Sequence, residues 1–255
     1  MNPSAISSLR AQVSEEEWRL RIDLAAVYRL VALNGWDDLI FTHISARLPG
    51  AHEHFLINPY GLLFDEITAS SLVKVDLACN KVMDSPFPVS PGGFVLHSTV
   101  HAARPDALCV MHTHTDYGIA VAAQQEGLLP ISQHALFPLG SIAYHDFGGL
   151  VMGPDERARF VAELGTAHHV VLRNHGLMTI AASPADAYLL MWDFERACRA
   201  QILAQSGGAA LSRVLPHVCE TIWRDTDESG RAFGSDIIWP RLLARLDRID
   251  GSYRN

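Results

Sequence analysis

Three histidines carry the plainest chemistry in this chain. The apolar run Ala107-Leu-Cys-Val-Met111 leads into His112-Thr113-His114, and the turn residues Arg104-Pro105-Asp106 precede it. Such a run reads as a buried β-strand. Side chains alternate along a strand, so His112 and His114 leave on one face with Cα atoms about 6–7 Å apart. Two imidazoles at that spacing can share one metal ion. Cys109 stands an odd number of residues from both and so faces the other side. A further imidazole, His175, lies in Arg173-Asn174-His175-Gly176, between Val170-Val-Leu172 and Leu177-Met-Thr-Ile180. This pattern reads as a hairpin with a histidine at its tip. Three histidines without an evident fourth protein ligand suit a catalytic ion with an open position better than a closed structural site. Taken alone, a His-x-His pair on a half-exposed strand is more often two surface histidines than a metal site. Nothing in the spacing brings the turn to the strand.

The elements that would have to position these groups can be read along the chain. Ser14-Glu-Glu-Glu17 is a capping-box start, and a helix runs from there to Leu33, with Asn34-Gly35 as its stop. Leu39–Leu48 and His54–Ile57 read as strands, Asn58-Pro59-Tyr60-Gly61 as a turn, and Thr68–Asp76 as the lead into another strand. Ser90-Pro91-Gly92-Gly93 precedes a helix over Phe94–Ala103. Asp116–Gln125 is an expected helix; Pro130–Ser132 and Gly140–His145 are expected short strands. Pro154 opens a helix through Leu164. Ser183-Pro-Ala-Asp186 caps a long helix from Ala187 to about Ala204. The remainder reads as a tail with one short helix, Trp239–Leu246. The expected organisation is an N-terminal extension over 1–14, one domain over 15–205 and a tail over 206–255.

Composition narrows the function. The chain has 255 residues, 49% hydrophobic and 19% charged, an ordinary globular profile long enough to bury a sizeable core. Lys and Arg number 20 against 28 Asp and Glu, a net charge of −8, with no basic stripe, which argues against nucleic acid as a partner. The apolar stretches fall short of a membrane span, and the first residues lack the pattern of a signal peptide. The four cysteines, Cys79, Cys109, Cys198 and Cys219, have no metal-type spacing and read as free thiols of a reducing cytoplasm. No Gly-x-Gly-x-x-Gly loop or Walker motif supports nucleotide binding. His97 and His101 share a helix face and read as packing groups. His168-His169 reads as a solvated strand start, and Trp18, Trp36 and Trp192 as core.

In order and spacing the chain resembles the class II aldolase/adducin head-domain family. The likeness rests on Phe41-Thr-His-Ile-Ser45, Asn58-Pro-Tyr-Gly61, His97-Ser-Thr-Val-His-Ala-Ala-Arg-Pro-Asp106, His112-Thr-His114, Arg173-Asn-His-Gly176 and the helix Ala187–Arg199. It implies an α/β fold: a three-layer α/β/α sandwich around a mainly antiparallel central sheet. It implies a divalent ion on His112, His114 and His175, with zinc as the default and manganese, cobalt, nickel or iron as alternatives. It also implies a small-molecule substrate and a homotetramer with sites at subunit interfaces.

The departures from the family pattern are as informative. Sugar-phosphate aldolases of this family carry a catalytic glutamate four residues before the position of His97; here that residue is Gly93. Pro91 and Gly92 replace the hydroxyl residues of a phosphate loop, Tyr60-Gly61 replaces Ser-Gly, and Thr42-His43 replaces Gly-Asn. His43, Tyr60 and Gly93 are therefore expected to face a non-phosphorylated substrate. His134 aligns with a tyrosine that donates a proton in some aldolases and is the expected catalytic residue. Retro-aldol cleavage must remove a hydroxyl proton, the task of the missing glutamate. Decarboxylation removes none at the start. The expected activity is a metal-dependent carbon–carbon lyase favouring decarboxylation of a non-phosphorylated oxyacid through a metal-bound enolate. The alternatives are an aldolase on a non-phosphorylated carbonyl compound, an Fe(II)-dependent oxygenase and a non-catalytic adducin-like binding domain.

Overall fold

A computed structural model describes residues 9–50, 53–149, 152–224, 232 and 234–255. Seven strands form one sheet: β1 (His43–Arg47), β2 (Phe55–Ile57), β3 (Val73–Val75), β4 (Cys109–Thr113), β5 (Ile142–His145), β6 (His169–Leu172) and β7 (Gly176–Ala181), in the order β3-β2-β1-β4-β7-β6-β5. Every neighbouring pair is antiparallel except β5–β6, which is parallel. The expected α/β sandwich with a mainly antiparallel sheet is thus the observed architecture.

Helices cover both faces. One face carries α1 (Glu15–Leu33) and the long α6 (Pro184–Ser206); the other carries α2 (Pro91–Ala103) and α5 (Pro154–Leu164). Alternation along β4 divides the core as the spacing predicts. Cys109 and Met111 join the α1/α6 cluster, while Val110 packs with Val100, Phe160 and Leu164 on the α2/α5 side. His112 shares the parity of Val110 and so belongs to the α2/α5 side.

The helix starts follow from capping. Ser14 accepts from the Glu17 amide at 3.0 Å, and Ser183 accepts from the Asp186 amide at 3.1 Å. α1 buries a charge but satisfies it. Arg21 pairs with Glu17 at 2.9 Å and donates to the Ala69 and Leu72 carbonyls.

Four local expectations need correction. Pro130–Ser132 forms no strand; Ser132 instead caps an unforeseen helix, α4 (Gln133–Leu139), by accepting from the Ala135 amide. Leu39 and Thr42 take left-handed backbone, with φ of 53° and 67°, so the strand expected from Leu39 begins only at His43. His168 and His169 are buried, not solvated, because their Nδ1 atoms donate to the Ile180 and Ser141 carbonyls. Beyond α3 (Asp116–Ala122), α4, α5 and α6, the described residues of the tail hold two helices, α7 (Pro216–Arg224) and α8 (Ser235–Asp250), rather than one short one. α8 is held to the core by Trp239, whose indole donates to Asp23 at 3.0 Å, and the fully buried Tyr253 follows it. No helix among the described residues is long and apolar enough to cross a membrane.

Candidate metal centre and its cavity

The histidine hairpin meets the end of β4. Asn174 takes left-handed backbone (φ 58°), and the His175 amide donates to the Leu172 carbonyl at 3.0 Å, closing the β6–β7 turn. Gly176 permits the approach. A Cβ there would collide with the Thr113 carbonyl oxygen and would sit 3.2 Å from His114 Cδ2 and 3.3 Å from His112 Cε1. The three imidazoles accordingly cluster, with ring centroids 4.7, 4.7 and 4.9 Å apart and one donor atom from each within 4.8 Å of the others.

The donor set fits a cation. His112 Nδ1 donates to the Leu177 carbonyl at 2.9 Å, and His114 Nδ1 donates to Asp38 Oδ2 at 2.9 Å. With both Nδ1 atoms so engaged, the two Nε2 atoms face each other at 3.0 Å. Backbone and carboxylate acceptors behind ligand imidazoles fix the tautomer and aim the free nitrogen. Burial favours neutral His112 and His175, the form that ligates. It holds His112 well below the ordinary histidine range, helped by neighbouring His175 and His114. Burial and then His114 lower His175 to about 4. These residues can hold a divalent ion with positions left toward the cavity.

That cavity measures about 550 Å³. Ile40, Phe41, Val95, Phe147 and Met152 give it apolar walls; Tyr60, Arg173 and Asn174 add polar groups; His43, Gly92 and Gly93 also line it. His43 and Gly93 form a steric pair. A Cβ on Gly93 would collide with Cε1 and Nε2 of the His43 ring, so the imidazole crowds the space that a side chain at position 93 would need. His43 Nε2 is buried with no hydrogen-bond partner among the described residues, and burial followed by His114 lowers the ring to about 4. Beneath it, Ser45 Oγ bridges His97 Nδ1 and His101 Nε2 at 2.8 Å each, which makes those two histidines packing groups, as their spacing suggests.

The structure brings His112, His114, His175, His43, Tyr60 and Gly93 to one cavity. It does not bring His134 there. That residue lies on α4, which packs with α6, and its charge acts on Asp193 of α6. Sequence reasoning missed Asp38, His145 and Glu156. The last two line the cavity. One signal was present: Glu156 and Glu163 stand seven apart, on one face of α5, opposite a strand that ends in His145.

Comparison with known proteins agrees with this architecture. The family model "Class II Aldolase and Adducin N-terminal domain" matches residues 22–202. Mouse alpha-adducin is 47% identical over 195 residues, which are 74% of this chain and 26% of the adducin. A crystal structure of an aldolase II superfamily protein from Pseudomonas syringae superposes with a TM-score of 0.93 at 46% identity, covering 97% of this chain and all of that one. An L-fuculose 1-phosphate aldolase from Glaciozyma antarctica shares the fold, with a TM-score of 0.81 at 24% identity over 94% of this chain and 93% of its own. The chain belongs to the class II aldolase and adducin N-terminal domain family.

Proposed function

We propose that this chain is a divalent-metal-dependent carbon–carbon lyase acting on a non-phosphorylated oxyacid, with decarboxylation favoured over aldol cleavage. The observation that carries the reading is the His43–Gly93 pair beside the triad: an imidazole fills the space of the side chain at position 93. His112, His114 and His175 would hold the ion, with zinc the first to test. A bound divalent ion supplies Lewis acidity toward adjacent substrate oxygens.

The remaining work falls to the chain. Phe41, Phe147 and Met152 give the reacting carbons an apolar wall beside the triad, while the Arg173 guanidinium is turned away, donating to the Gln124 carbonyl at 2.6 Å and lying over the Tyr144 ring. Tyr60, 39% exposed, stands at the rim. Loss of carbon dioxide needs no base at the outset, only one proton afterwards. The cavity has Tyr60, His43 and Gly93 where family aldolases carry phosphate and glutamate groups, which disfavours a sugar phosphate. Within one chain His134 is set aside as the proton donor, since it packs with α6, away from the cavity.

A panel of β-keto acids, hydroxyaromatic carboxylates and sugar phosphates, assayed for carbon dioxide release and oxygen uptake under Zn(II), Mn(II) and Fe(II), tests the reading. Carbon dioxide without oxygen uptake supports it. Preferential turnover of a sugar phosphate, or oxygen uptake that requires Fe(II), overturns it. A second reading, a non-catalytic binding domain, is favoured by the adducin likeness. It predicts silence across the whole panel.

A further inference from the structure

The cavity has a second polar group, apart from the triad, that the preceding reading leaves without a task. His145 ends β5 with a side chain only 5% exposed, between two carboxylates of α5. Its Nδ1 donates to Glu163 Oε2 at 2.6 Å. Its Nε2 is buried without a hydrogen bond among the described residues and looks toward Glu156 Oε1 at 3.6 Å. Glu156 is 17% exposed in its side chain and lines the cavity that the triad opens into. Gly148 makes room for it, because a Cβ there would overlap the Glu156 carboxylate. The other charged groups nearby are Arg159 of α5, 3.8 Å from Glu156, and the Arg173–Asp146 pair at 3.9 Å.

We infer that Glu156 is the proton-transfer residue of this cavity, with His145 and Glu163 as its positioning residues. The inference rests on the proposal that the triad cavity binds an oxyacid. Glu163 fixes the Nδ1–H tautomer of His145, as a carboxylate behind a working imidazole does. Nε2 is then the nitrogen turned toward Glu156. Once ligand binding has protonated it, Glu156 gives that proton to the carbon that carbon dioxide has left, whose bonding pair becomes the new C–H bond. The carboxylate that remains is reloaded by His145 Nε2 or by cavity water. A group placed this way supplies the proton that decarboxylation needs after, not before, the carbon–carbon bond breaks.

The test uses oxalate, a small dianion with adjacent oxygens, titrated into the zinc-loaded full chain by calorimetry in two buffers of different ionisation heat. A dianion entering the cavity raises the proton affinity of a facing carboxylate, so the wild type is expected to take up about one proton per oxalate. Glu156→Gln is expected to lose most of that uptake and, because its amide mimics the neutral carboxyl, to bind oxalate about tenfold more tightly, and Glu156→Asp to restore the uptake. A merely structural Glu156 would change thermal stability or affinity but not the proton count. Unchanged uptake in Glu156→Gln with intact binding overturns the inference and leaves the oxyacid cavity standing. Absence of zinc-dependent oxalate binding in the wild type overturns both.

Discussion

Two clusters of three histidines lie side by side, one at the end of β4 and one between β1 and α2, and only the first turns its ring nitrogens toward a common point. His112, His114 and His175 turn ligand atoms toward one another, with acceptors behind the first two. His43, His97 and His101 are as deeply buried or nearly so, yet they diverge. His97 and His101 are tied to Ser45, and His101 also donates to the Ala107 carbonyl at 2.9 Å. Burial depresses proton affinity in each cluster, holding His101 at about 3 and His175 at about 4. Burial and low basicity therefore do not distinguish a ligand from a packing group. Convergence of free nitrogens does, together with acceptors that fix the tautomer.

The sharpest way to break this comparison is to delete one histidine from each cluster. Zinc is expected to raise the Tm of the wild type by an amount equivalent to about 4 kcal/mol at 1,000 times its dissociation constant. His175→Ala should abolish that zinc-dependent rise, and His101→Ala should lower the baseline Tm but keep it. Thermal scans with and without zinc read both; a rise retained in His175→Ala would dissolve the distinction.

The support behind the ligands should matter next. Asp38→Asn keeps the His114 contact but removes the carboxylate charge, and Asp38→Ala removes both. Removal of such a partner is expected to weaken zinc binding by about 10–100-fold. Competition with a chromophoric chelator measures it, with Ser45→Ala as the control that should leave zinc affinity alone while destabilising the fold by about 1–3 kcal/mol.

The His43–Gly93 pair gives a third test. Gly93→Glu alone must displace His43, and overpacking of this kind costs about 1–3 kcal/mol. His43→Gly combined with Gly93→Glu should recover stability and admit a carboxylate into the cavity. If aldol cleavage appears in the double variant, the missing glutamate is what had withheld it. A single Gly93→Glu as stable as wild type would show that His43 does not hold that space.

The broadest test is the pH dependence, which does not single out either cluster. His43, His101, His169 and His175 have folded-state values of about 3 to 4, below the ordinary histidine value. The unfolded chain therefore binds more protons than the folded one between the two values. Stability should be fully present above about pH 6.5 and fall as pH drops toward 4 and 3. Denaturant midpoints across that range check the sign, and a metal-loaded sample should fall more steeply because protonation also displaces the ion.

Much of the site was legible because its signals are local. The alternation of β4 and the hairpin spacing around His175 follow from strand geometry, and Gly176 marks where the turn closes on β4. What the residues alone could not give was the meeting of that turn with the strand, since it depends on the β4–β7 pairing. His134 was misplaced for one chain because the helix carrying it was not anticipated. Ser132 caps a seven-residue segment containing Pro138, too short and too irregular to show a helical period. Glu156 was missed because its partners come from β5 and from a loop glycine, far apart in sequence until the fold unites them.

The central claim is that His112, His114 and His175 make one metal centre and their histidine neighbours do not. Elemental analysis of wild type, His112→Ala and His97→Ala, purified side by side without chelator, tests it most directly. The account predicts about one divalent ion per chain in wild type and in His97→Ala, and none in His112→Ala. Equal metal in wild type and His112→Ala, or loss in His97→Ala alone, would contradict it.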